Sequence, residues 1–146
     1  PLLCLNKIRS LLILYKPIFQ LNMKIYDCFM FFDEDMLLDL RLNIMDKYVD
    51  KFIITEATYM HNGSKKKLNF DINKFKRFKD KITYIVVDEP PPGLFSLNEN
   101  ETEESKENKL ILNGYKRDNF QREMAHSALK DMSYNLVVFS TIAKII

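Results

Sequence analysis

Glycine is nearly missing from this chain, with three in 146 residues. Loops that cradle phosphate in the P-loop and dinucleotide fingerprints need several glycines at fixed spacing, and neither pattern occurs. Tryptophan is absent, and the two cysteines, Cys4 and Cys28, are too few for a disulfide framework or a cysteine zinc site. Cys28 falls inside an apolar, strand-like run, where a small core residue is the expected role. No Gly-x-Ser-x-Gly elbow is present, and neither cysteine has a context that would activate a thiolate. An excess of one charge is missing too. The net charge of +2 gives no broad attraction for nucleic acid or an anionic membrane. The Tyr and Phe residues lie within apolar runs rather than between basic ones, so no nucleic-acid platform is expected.

What is present suits one globular domain. Hydrophobic residues make up 47% of the chain, enough at this length to build a real core. Residues 1–22 stand apart. Leu2, Leu3, Leu5, Ile8 and the run from Leu11 to Leu14 are interrupted by Lys7, Arg9, Lys16 and Pro17. That stretch is too short and too broken to span a bilayer, and Met23-Lys24 reads as a natural start. We expect 1–22 to be a leader outside the functional domain, non-native or membrane-proximal, and the one route to membrane association. The domain then runs over 23–146.

Within it, Lys24–Phe32 (KIYDCFMFF) reads as a buried strand. Asp33 is placed to N-cap a helix, with Glu34 and Asp35 beside it where the helix dipole favours acids. Met36, Leu37, Leu40, Ile44 and Tyr48 carry that helix from about Asp35 to Tyr48. Lys51–Ala57 is a second strand, followed by a basic loop with Asn62-Gly63 as turn chemistry. Ile72, Phe75 and Phe78 suggest a short helix. Ile82–Val87 is a third strand, stopped by Asp88, Glu89 and three prolines. Residues 90–109 read as a mobile loop, since Glu99, Glu101, Glu103, Glu104 and Glu107 repel one another in a compact structure. Arg117–Met132 reads as a helix with a Phe120, Met124, Ala128 stripe, and Asn135–Ser140 as a fourth strand whose edge is uncovered.

Strands alternating with helices imply an α/β fold: a mostly parallel, Rossmann-like sheet with helices on both faces. Such sheets bind ligands beyond the carboxyl ends of their strands. Glu34, Glu56 and Asp88 are the acids there, suited to ribose hydroxyls, a divalent metal or a general base. Taken singly, each reads equally as a helix cap or a strand-end solvating group. The loop with His61, Gly63, Lys65, Lys66 and Lys67 suits a phosphate or diphosphate, or is only a solvated turn. No second histidine lies close to His61 in sequence, which argues against a histidine metal site. Arg117 and Gln121 share one helix face. With Asn119 they offer donors for phosphate or sugar, or a merely polar surface.

Four stretches, in order, resemble glycosyltransferase family 17, the β-1,4-mannosyl-glycoprotein 4-β-N-acetylglucosaminyltransferases and their relatives. They are IYDCFMFFDEDMLLDLRL (25–42), VDKFIITEATYMHNGSKKKLNF (49–70), ITYIVVDE (82–89) and RDNFQREMAHSAL (117–129). The resemblance implies the A-type glycosyltransferase fold and transfer of N-acetylglucosamine, or a related sugar, from a nucleotide sugar to a glycan acceptor. The implied donor is UDP-N-acetylglucosamine. Asp27, Glu34, Arg41, Glu56, His61, Gly63, Asp88, Arg117, Asn119, Gln121 and Arg122 match its motif positions as candidate nucleotide-sugar ligands, and no catalytic role is assigned to any one of them. The compartment stays open between cytoplasm and Golgi membrane.

The resemblance also implies a divalent metal, Mn or Mg, held by an acidic run of the Ser-Asp-x-Asp-Glu type after the fourth strand. Here Ser140 is followed by Thr141-Ile142-Ala143-Lys144-Ile145-Ile146, with no carboxylate. We therefore expect no metal site in this chain, a truncated fold and an inactive protein. A non-catalytic nucleotide-sugar- or protein-binding module is the alternative. A nucleotidyl- or phosphotransferase fits less well, because it needs the same acids and a glycine-rich loop.

Overall fold

The computed structural model describes residues 23–141, with backbone alone for Ser140 and Thr141. The expected leader at 1–22 and the tail from Ile142 lie outside these residues. Four strands form the sheet: β1 (Ile25–Met30), β2 (Lys51–Ala57), β3 (Ile82–Val87) and β4 (Leu136–Thr141). Two α-helices, α1 (Asp35–Met45) and α2 (Glu103–Ser127), and a 3₁₀ segment at Ile72–Lys81 connect them. The sheet order is β3-β2-β1-β4, and every neighbouring pair is parallel. This is the α/β, Rossmann-like architecture.

The order follows from the connections. Crossovers through α1 and the 3₁₀ segment step the chain from β1 to β2 to β3 on one face, as parallel neighbours require. α2 then carries it back across the other face to β4, beside β1. Alternation along the strands feeds both faces. Ile25 and Phe29 of β1, with Phe52 and Ile54 of β2, meet Leu38, Leu42 and Met45 of α1 and Phe75 and Phe78 of the 3₁₀ segment. The α1 residues recur at i, i+4 and i+7, whereas Phe75 sits at a kink (φ −121°, ψ 30°) between two 3₁₀ turns and Phe78 lies in the second. On the opposite face, among the described residues, Tyr26, Cys28 and Ile53 meet Ala125 and Leu129 as buried partners. Leu129 lies past the end of α2, in the turn that leads to β4.

Two expectations are corrected. Asp33 does not cap α1. The residue before the helix is Glu34, which makes no side-chain cap; its carboxylate folds back to accept from the amides of Phe32 and Asp33 at 3.1 and 3.2 Å. Residues 90–109 are not a single loop either, because α2 begins at Glu103 rather than near Arg117. Thr102 N-caps it, accepting from the Ser105 amide at 3.3 Å. The glutamates do not repel freely. Glu103 and Glu104 sit in the first turn, where the dipole favours them. Glu103 pairs with Lys106 at 2.8 Å, and Glu101 pairs with Lys109, which holds the Glu101 carboxyl below its ordinary range. Among the described residues no helix is long and apolar enough to cross a membrane.

Candidate functional site

Two of the candidate acids belong to the core. Asp27 lies in the middle of β1, on the face covered by α1, and is fully buried. Arg41 of α1 donates from Nε to Oδ2 at 2.8 Å and from Nη2 to Oδ1 at 2.6 Å, a bidentate pair. The same guanidinium stacks over the Phe29 ring. Burial pushes the Asp27 carboxyl upward against the pull of Arg41. Glu56, near the end of β2, is also fully buried. Its carboxylate accepts from the amides of Asn69 (2.8 Å) and Phe70 (3.0 Å), from the Tyr84 hydroxyl (2.8 Å) and from the Lys66 ammonium. An ionised carboxylate without such partners would be too costly to bury. Burial first, and then Glu56, push the Tyr84 hydroxyl well above its usual range. Asp27 and Glu56 therefore fasten α1 and the 66–70 segment to the sheet. With Glu34 turned onto backbone amides, the remaining strand-end acid of the candidate set is Asp88, which is exposed beyond β3.

A different group gathers above the carboxyl ends of β1 and β2. Arg117, Asp118 and Gln121 descend from α2. His61 and Tyr59 rise from the loop after β2, and Phe31 and Phe32 from the exit of β1. They line a cleft of about 30 Å³, room for roughly one water and therefore the floor of a site rather than an enclosed pocket. Gln121 donates from Nε2 to the Thr55 carbonyl at 2.9 Å, and Arg117 donates from Nη1 to the His61 carbonyl at 2.8 Å. Together they clamp α2 to β2 and its loop.

Gly63 is favoured there by its backbone, and a side chain on it would also displace the Arg117 guanidinium. Its φ is +88°, and a Cβ on it would lie 2.6 Å from Arg117 Nη2. Asp118 stands 3.9 Å from His61 Nδ1 and accepts from Arg122 Nη2 at 2.9 Å. Asn119 is exposed, on the side of α2 turned away from Gln121. Two polar atoms near the clamp, Thr55 Oγ1 and Tyr59 Oη, are buried with no hydrogen-bond partner. Burial raises the Tyr59 hydroxyl above its ordinary range, with Arg117 opposing.

The structure thus joins His61, Gly63, Arg117, Gln121 and Arg122. It separates Asp27, Arg41 and Glu56 into the core and leaves Asp88 and Asn119 outside the cleft. Tyr59, Thr55 and Asp118 were not anticipated as site residues. Asp118 carried a signal, since it precedes Arg122 by one helical turn in an acid-to-base pair. Among the described residues no three of His, Cys, Asp and Glu converge to hold a metal ion. They do not fit a divalent cation, and no step below passes through one.

Comparison with known families decides the lineage. The model of glycosyltransferase family 17 matches residues 15–145. The chain belongs to glycosyltransferase family 17. No curated protein and no solved structure matches it. Membership carries a general expectation of a nucleotide sugar and a glycan acceptor. In this family-17 chain the cleft beyond β1 and β2 lies where an α/β sheet binds its ligand.

Proposed function

We propose that this family-17 chain binds UDP-N-acetylglucosamine, the donor for transfer of N-acetylglucosamine to a glycan, at the rim where α2 crosses β2. The observation that supports this is the clamp of Arg117 and Gln121 onto the backbone of β2 and its loop. It fixes a guanidinium beside a small cleft whose floor joins Phe31, Phe32 and Ala57 to His61 and Asp118. A fixed cation there would neutralise part of the diphosphate charge that grows as the sugar leaves. Lys66 is less available because it is locked to Glu56, whereas Lys65 and Lys67 are exposed next to it.

Transfer also needs a base within hydrogen-bond reach of the acceptor hydroxyl. Asp27, Glu34 and Glu56 are engaged elsewhere, Asp118 is paired with Arg122, and Asp88 lies outside the cleft. We therefore expect slow or no sugar transfer by this chain alone, which favours the non-catalytic nucleotide-sugar-binding module as a second reading. Isothermal titration with UDP-N-acetylglucosamine, paired with a hydrolysis and transfer assay, separates the outcomes. Saturable binding with no turnover supports both statements. Turnover at a clear rate contradicts the second, and no binding by folded protein contradicts the first.

A further inference from the structure

α2 is longer than the sheet it covers. Gln121 meets the backbone of β2, and Arg117 meets the loop just past its end. The helix begins at Glu103, so at 1.5 Å per residue about 20 Å of it projects beyond the rim. This overhang is not polar. Leu110, Ile111, Leu112 and Tyr115 are 44, 56, 47 and 64% exposed, more than the single scattered apolar residues of an ordinary surface.

The stripe through Ile111 and Tyr115 has a definite pattern. Steps of four and three give Glu104, Asn108, Ile111, Tyr115, Asp118 and Arg122. This is the spacing of a coiled-coil seam, with an apolar centre, an acid at its start and a base at its end. The seam is complementary to itself when reversed. In an antiparallel pair Ile111 faces Tyr115 of the second copy, Asn108 faces Asp118, and Glu104 faces Arg122. A parallel pair would set Glu104 against Glu104 and Arg122 against Arg122, which like charges disfavour. Glu104 and Arg122 are both exposed, Arg122 donating to Asp118 of its own helix at 2.9 Å, and the His61–Asn62 loop flanks the Ile111–Tyr115 stripe on one side while leaving both side chains more than half exposed.

We propose that the α2 overhang is a homodimer interface, with two copies packed antiparallel about a two-fold axis between Ile111 and Tyr115. The interface is isologous, so one patch serves both copies. The lower end of the seam, at Asp118 and Arg122, borders the candidate cleft beside His61, but association is read independently of sugar-nucleotide binding. One helix pair buries little area, so the dimer is weak and transient.

Sedimentation equilibrium of the full chain tests this, with far-UV circular dichroism to confirm that each variant is folded. The wild type is expected to pass from monomer to dimer with rising concentration. Tyr115→Glu, Glu104→Arg and Arg122→Glu should each weaken the dimer about tenfold or more. The double variant Glu104→Arg, Arg122→Glu should regain wild-type association. A chain that stays monomeric at about 500 µM overturns the proposal. So does a dimer indifferent to Tyr115→Glu, since another surface would then be responsible. Failure of the double variant to recover overturns the antiparallel register.

Discussion

Asp27 and Glu56 sit on neighbouring strands and point to the same face of the sheet, where each is enclosed by partners. Arg117 and Gln121 approach from the other side and bond to backbone carbonyls at the rim, leaving part of each side chain open. All four are candidate ligands on the resemblance to one family, yet they meet different physical demands. The strand acids must be neutralised because no water reaches them, so they recruit Arg41, Lys66, Tyr84 and two amides. The helix residues lie at the surface and hold two elements in place while keeping polar groups available. A motif position can therefore mark a fold requirement as readily as a ligand contact, and burial separates the two.

The largest effect should come from breaking the buried pair. Arg41→Met leaves Asp27 without its cation, and a broken buried ion pair costs about 3–5 kcal/mol. Chemical denaturation should show that loss, and Asp27→Leu added to Arg41→Met should recover most of it. Recovery to wild-type stability would make the pair a matter of geometry rather than net strength.

At the rim, Gly63→Ala should cost about 1–3 kcal/mol, since the new Cβ meets both a left-handed φ and the Arg117 guanidinium. Adding Arg117→Ala removes the clash but not the φ penalty, so a thermal melt of the double variant should regain part of the loss.

Smaller still is the cap of α2. Thr102→Ala should lower stability by about 1 kcal/mol, with amide exchange rising first in the overhang. Cys28 offers a probe of the thinner face. Its thiol is pushed up to about 12 by burial and then by the Asp27 charge, so at neutral pH it is fully protonated and shielded. Alkylation mapped to Cys28 should appear only under conditions that open the α2 side of the sheet.

The first three strands were readable because each is an apolar run closed by charge or proline; the β2 and β3 boundaries followed, while β1 stops at Met30, two residues short of the Phe32 expected. The onset of α2 was not. Its glutamates look repulsive in a linear reading, while Lys106 and Lys109 cancel them only once the helix turns bring them together. The roles of Asp27 and Glu56 were hidden for a related reason. Their partners come from α1 and from the 66–70 segment, and no local spacing shows that those segments fold over the acids. One signal did exist for Asp27: an acid between Tyr26 and Cys28, in a strand apolar on both faces, must be buried and paired. The meeting of Gly63 with Arg117 joins residues far apart in the chain, and only the crossover of α2 creates it.

The central claim is that the rim clamp, and not the strand acids, meets the ligand. The most direct test is titration of UDP-N-acetylglucosamine into the wild type, Arg117→Met and Glu56→Gln, each checked for folding by its thermal melt. The account predicts that Arg117→Met weakens binding about tenfold or more, with the melt lowered only modestly by loss of the exposed bond to the His61 carbonyl. Glu56→Gln should lower the melt while the folded protein keeps its affinity. Full affinity in Arg117→Met, together with binding abolished in folded Glu56→Gln, would contradict it.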